Sequence, residues 1–116
     1  MNIYYDPEKF GLRTIGEAEF SSGGYEFDTT VVWQDVETGA LYYASDSGCS
    51  CPCPFDSESR ATITRIDRMQ DLIDHLEERK EECYRYDTSN EWNASDVASI
   101  DAECGSLIEA ARKAQP

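Results

Sequence analysis

Apolar residues change their spacing about halfway along this chain, and that change limits the folds open to it. In the first half they cluster in short runs of strand-forming residues. Residues 27–35 hold Val31, Val32 and Trp33 at their centre, and 41–44 read Leu-Tyr-Tyr-Ala. Both have the β-branched and aromatic content of strands. Residues 12–20 alternate imperfectly and read as a third strand. Glu37-Thr38-Gly39 joins two of these runs. So short a connection, with glycine last, predicts a hairpin in which Gly39 takes a positive φ. Ahead of the first strand, Asp6-Pro7-Glu8-Lys9-Phe10-Gly11 predicts a single helical turn that Gly11 stops.

In the second half the period becomes helical. Ile66, Met69, Leu72, Ile73 and Leu76 share one face, with Cys83 on it, while Asp67, Asp71, Asp74, Glu78, Glu81 and Glu82 lie opposite. This predicts a helix from about 64 to 83, opened by a weak capping pattern at Thr64. A second helix, started by Asn93 or Ser95, carries Val97, Ile100, Cys104, Leu107, Ile108 and Ala111 on one face. The expected fold is α+β: a three-stranded antiparallel sheet followed by two helices packed on one face of it. One domain over 1–116 is expected, with the sheet and a Cys-Pro loop in 1–60 and the helical half in 61–116.

Charge narrows the partners. The formal net charge is −14, from 24 acidic and 10 basic residues. Both halves share it: 11 acids and 3 bases fall in 1–60, 13 acids and 7 bases in 61–116. A phosphate backbone or an anionic membrane surface would be repelled, so direct binding to nucleic acid or membrane is not expected. The first residues lack the basic and apolar regions of a secretory signal. With an odd count of five cysteines, the expected setting is a reducing cytoplasm.

The most unusual segment is Asp46-Ser47-Gly48-Cys49-Ser50-Cys51-Pro52-Cys53-Pro54-Phe55. Its prolines stiffen it, and thiolates are both metal ligands and nucleophiles. As a zinc site, Cys49, Cys51 and Cys53 would take a fourth ligand from His75, Cys83 or Cys104. The C-x-C spacing argues against this, because structural zinc sites pair their ligands as C-x₂₋₄-C. As a nucleophile, a loop cysteine would need His75 as its base, since the chain has no other histidine. His75 instead reads as a solvated surface histidine in an ion-pair row. The loop therefore reads as a rigid closure at the end of the sheet. Asp46 and Ser47 bond nearby amides, Gly48 takes an unusual φ, and Phe55 anchors the far end. No cofactor and no catalytic residue is expected.

The stretches Tyr5-Asp6-Pro7-Glu8-Lys9-Phe10-Gly11-Leu12, 27–33, and Leu41-Tyr42-Tyr43-Ala44-Ser45-Asp46-Ser47-Gly48-Cys49-Ser50-Cys51-Pro52 resemble small proteins encoded by actinobacterial phages, a family of unknown function. The likeness runs over roughly residues 4–80. It implies expression in a host bacterial cytoplasm during infection and assigns no catalytic residue. Related loops carry serine in place of Cys53, which weighs further against a three-thiol metal site.

These readings lead to a non-enzymatic interaction module acting on a host or phage protein. The contact candidates are the acidic row Asp67, Asp71, Asp74 and Glu78, or the loop through Gly48 and Phe55. Two alternatives are an acidic nucleic-acid mimic that inhibits a DNA-binding protein and a small zinc-binding domain built on the thiol loop.

Overall fold

The structure, a computed structural model, describes residues 2–20, 26–49, 55, 58–86 and 94–115. A 3₁₀ turn, Pro7–Phe10, leads into β1 (Leu12–Glu19), β2 (Glu26–Asp35), β3 (Leu41–Cys49) and β4 (Thr64–Arg65); α1 (Met69–Tyr86) and α2 (Ala94–Ala114) follow. The four strands form one antiparallel sheet in the order β1-β2-β3-β4. The fold is thus α+β, and the sheet has four strands where three were expected.

The fourth strand comes from the segment read as the start of the first helix. Thr64 pairs with Tyr43, Arg65 pairs with Tyr42, and the Ile66 amide donates to the Leu41 carbonyl at 2.8 Å. Those backbone groups are spent on the sheet, so Thr64 caps no helix and α1 starts at Met69. Ile66 still reaches the core beneath the helices, which is why it fitted the helical stripe.

β2 shows how the sheet serves two cores. Side chains alternate across a strand. Val32 joins Ala18, Phe20, Leu41, Leu72, Leu76, Ile100, Cys104, Leu107 and Ala111 under the two helices. Val31 and Trp33 point the other way, into a second core with Ile3, Leu12, Ala44, Phe55 and Ile63. The helices cover one face, as expected; the chain's N-terminal segment and the residues after β3 cover the other. There Phe55, fully buried, stacks on Tyr4 and meets the Trp33 ring edge-on.

The irregular alternation of β1 has a structural cause. Thr14 lies opposite Trp33 and Gly16 opposite Val32, so Ile15 is an extra residue in the ladder. A bulge of this kind exchanges the faces of all that follows. Leu12 therefore joins the second core, while Ala18 and Phe20, of the same parity, join the first. Gly16 lets α2 approach closely: a Cβ there would sit 3.1 Å from Leu107 Cδ1.

Both turns place glycine in the left-handed region, Gly11 at φ 74° and Gly39 at φ 80°. Asp35 organises the hairpin. One carboxylate oxygen accepts from the Glu37 and Thr38 amides, and the other accepts from Arg60 at 2.6 Å. Arg60 also donates to the Phe10 carbonyl and lies over the Tyr42 ring. Gln34 ties the hairpin to the helices. Its amide donates to the Gly39 and Ala114 carbonyls, and its oxygen accepts from Arg13. Lys80 of α1 reaches Asp101 of α2 at 3.1 Å, and Glu109 pairs with Lys113 one turn on.

Candidate functional site

A shallow groove of about 390 Å³ opens between α1 and the β4 edge of the sheet. Tyr43 of β3, Thr64 and Arg65 of β4, Asp67 on the link to α1, and Asp71, Asp74, His75 and Glu78 of α1 line it. The helical residues are three or four apart and so occupy one strip of α1. That strip adjoins the buried stripe of Leu72 and Leu76. The short strand is what brings Thr64, Arg65 and Asp67 to the same place. The acidic row picked out from the sequence, Asp67, Asp71, Asp74 and Glu78, therefore converges on one surface.

Basic residues only partly offset these carboxylates. Arg65 lies 3.5 Å from Asp67 and Arg68 lies 3.7 Å from Asp71. Three of those four side chains are well exposed, so each pair contributes at most about 1 kcal/mol. Asp74 accepts from Gln70 at 2.8 Å. Four carboxylates and one arginine line the groove, which is strongly negative.

The inner end of the groove is built differently from its walls. The His75 ring lies 4.5 Å from the Tyr43 ring, and its Nε2 is 2.6 Å from Ser45 Oγ. Ser45 Oγ is in turn 2.5 Å from Thr30 Oγ1, which is fully buried. The chain from α1 to β3 to β2 fixes the ring. His75 is thus half-buried and tethered to the sheet, which corrects its reading as a solvated surface residue. The Ser45–His75 distance is also that of a nucleophile and its base. However, the four carboxylates oppose the negative charge that such chemistry would build up, so the pair reads as a tether.

The loop candidates fall elsewhere. Gly48 does not take an unusual φ: it lies within β3, opposite Phe27, and only Gly11 and Gly39 among the described glycines have positive φ. Phe55 is fully buried in the second core and offers no surface to a partner. Its amide donates to the Asp46 carboxylate at 2.8 Å, and its backbone is held at φ 62°. That conformation is costly for a bulky residue, and the buried ring and the Asp46 bond over-determine it. Asp46 thus closes the neck of the loop nine residues on, in addition to bonding the adjacent Ser47 amide.

Cys49 ends β3 opposite Glu26. Cys51, Cys53 and Asn93, together with the side chains of Cys49, Cys83 and Val97, lie outside the described residues. Among the described residues, no group of three or more His, Cys, Asp or Glu side chains is arranged to hold a metal ion. Cys104 is buried under the helices, and burial pushes its thiol up to about 11, far from a nucleophile at neutral pH. No helix among the described residues is long and apolar enough to cross a membrane.

Reading the sequence missed Tyr43, Thr64 and Arg65 as lining residues. All three depend on a strand two residues long, which has no periodicity to detect.

A four-stranded meander carrying two helices, with an acidic groove at their seam, defines a small α+β protein. The chain belongs to the family described as Domain of unknown function (DUF7574), whose model matches residues 1–103. The match spans the sheet, α1 and the first half of α2, further than the likeness read from the sequence. No curated protein and no solved structure matches the chain.

Proposed function

We propose that this protein is a non-enzymatic interaction module that receives a basic segment of a partner protein in the groove between α1 and β4. One observation carries this reading: Asp67, Asp71, Asp74 and Glu78 line a single groove with Tyr43. Carboxylates beside an aromatic ring suit an inserted lysine or arginine side chain. A nucleic-acid mimic would spread its charges along an exposed ridge, and this convergence favours an inserted side chain instead. The resemblance to phage proteins supports a host or phage protein as the partner, met in the bacterial cytoplasm.

Charges at a groove rim accelerate encounter more than they tighten a complex. The test is capture of partners from bacterial lysate, followed by association kinetics. The variant combining Asp67→Asn, Asp71→Asn, Asp74→Asn and Glu78→Gln should associate about tenfold more slowly at low salt, with a flatter salt dependence. An unchanged rate at low salt, or no specific partner, would remove the groove from consideration.

A further inference from the structure

β1 is an outer strand of the sheet, and its free edge matches a second copy of itself. We propose that two copies of this chain pair there, β1 antiparallel to β1 and α2 antiparallel to α2, as a two-fold dimer with one continuous eight-stranded sheet.

The register follows from the bulge. Gly11 and Phe20 bond across to β2, through the Val36 amide and the Asp28 carbonyl. Backbone groups alternate in direction along a strand, so Arg13, Gly16 and Ala18 also face β2. Thr14 and Glu17 turn their backbone groups outward, and among the described residues no strand or backbone bond meets them. The bulge leaves two residues, Ile15 and Gly16, between these outward positions. A regular strand has one residue in that interval, so it cannot keep step. A second β1 running antiparallel has the same two. Thr14 then lies opposite Glu17 of the partner subunit, and the two exchange backbone bonds. A bulged edge resists most strands, and this one admits a strand that shares its bulge.

α2 repeats the same symmetry. Lys80 of α1 reaches Asp101, so that flank of α2 faces α1. Glu103, Ser106, Ala110 and Lys113, three or four residues apart, form a strip on the other flank, toward β1. The strip starts with an acid and ends with a base. Reversed against itself, it sets Glu103 against Lys113 of the partner subunit and Ser106 against Ala110 of the partner subunit. The midpoint of the strip adjoins Leu107, whose Cδ1 would lie 3.1 Å from a Cβ at Gly16. Gly16 adjoins the midpoint of the β1 ladder, so one axis serves both strand and helix.

Glu103 gains most from this partner. Partial desolvation at the edge, with the charges of Glu19 and Glu17, raises its pKa, and a bond from the Glu19 amide offsets this only in part. Lys113 pairs with Glu109 one turn earlier, but both side chains are well exposed and the pair exchanges readily. The dimer leaves the α1–β4 groove of each copy at an outer end of the joined sheet. The pairing therefore goes beyond the capture of a basic segment and does not depend on it.

Sedimentation equilibrium at about 0.15 M salt, over roughly a hundredfold range of concentration, tests the pairing. The native chain should follow a monomer–dimer equilibrium. Glu103→Lys alone, or Lys113→Glu alone, sets like charges together at both ends of the helix pair and should weaken dimerisation about tenfold. The double variant restores both pairs with their signs exchanged and should return the constant to within about threefold of the native value. Both positions are exposed, so the circular dichroism of the monomer should not change. In the native chain, hydrogen exchange at the Thr14 and Glu17 amides should slow as dimer forms. A native chain that stays monomeric throughout would overturn the proposal. So would a dimer that ignores the single changes, one that the double variant fails to restore, or one whose Thr14 and Glu17 amides exchange as fast as in the monomer.

Discussion

At the scale of single residues, the carboxylate of Asp35 joins the hairpin turn to Arg60. It accepts from two turn amides and from Arg60, and these bonds hold its pKa down at about 2, led by the Thr38 amide. A carboxylate whose folded value lies below its unfolded one contributes stability above the unfolded value and loses it as pH falls. The contribution should therefore be complete at neutral pH, begin to fade below about pH 4, and be lost as pH falls through about 2. Asp35→Asn cannot carry the charge that Arg60 meets. The stability gap between the native chain and Asp35→Asn, from urea unfolding, should narrow as pH is lowered from about 6 to about 2. A constant gap over that range would show that the charge on Asp35 is immaterial. Nothing in the sequence marked Asp35 out, because its partner Arg60 lies twenty-five positions away and no local pattern joins them. His75 escaped for a related reason: its helical position was legible, but Ser45 and Thr30 beneath it belong to other elements.

Among the elements, β1 and α2 depend on each other at one point. Gly16 follows the bulge, and a Cβ there would lie 3.1 Å from Leu107 Cδ1 of α2. Gly16→Val would place a branched side chain where even a Cβ is tight, and should cost about 1–3 kcal/mol by overpacking. Leu107→Ala alone should also destabilise, by leaving a cavity. Together the two changes should cost less than their sum, because each makes room for the other, and a double-mutant cycle by chemical denaturation would measure that coupling. Strict additivity would mean that α2 does not press on β1 there. Long periodic elements were the legible ones. The stripe of Ile100, Cys104, Leu107 and Ala111 is buried as its 3.6-residue period required. The Gly39 hairpin followed from its turn chemistry. What escaped had no period to show: a two-residue strand, a one-residue bulge, and a second core built partly by Ile3 and Phe55 from outside the strands. Ile66 was assigned to the helix because a residue entering the same core from a strand end mimics one more helical turn.

For the whole molecule, the governing number is the net charge of −14. At least fourteen carboxylates lack a basic counterpart, so mutual repulsion opposes the compact state. Salt should act on this in two opposed ways. It weakens attractive pairs such as Arg60–Asp35, Arg79–Asp28 and Lys80–Asp101, all of which have at least one well-shielded partner and are screened the less for it. It weakens repulsion among exposed carboxylates far more, since solvent-exposed charges are screened more strongly than shielded pairs. Repulsion involves more charges and is more exposed, so it should win. Raising sodium chloride from about 0.05 to 0.5 M should therefore raise the melting temperature. The variant neutralised at Asp67, Asp71, Asp74 and Glu78 brings the charge from −14 to −10 and should gain less from the same salt. It should melt no lower than the native chain at low salt, because the pairs it loses are the exposed ones with Arg65 and Arg68. A melting temperature that falls with added salt would mean the few shielded ion pairs outweigh the surface charge. An equal salt response in the two proteins would mean that the groove carboxylates are not where the repulsion is concentrated.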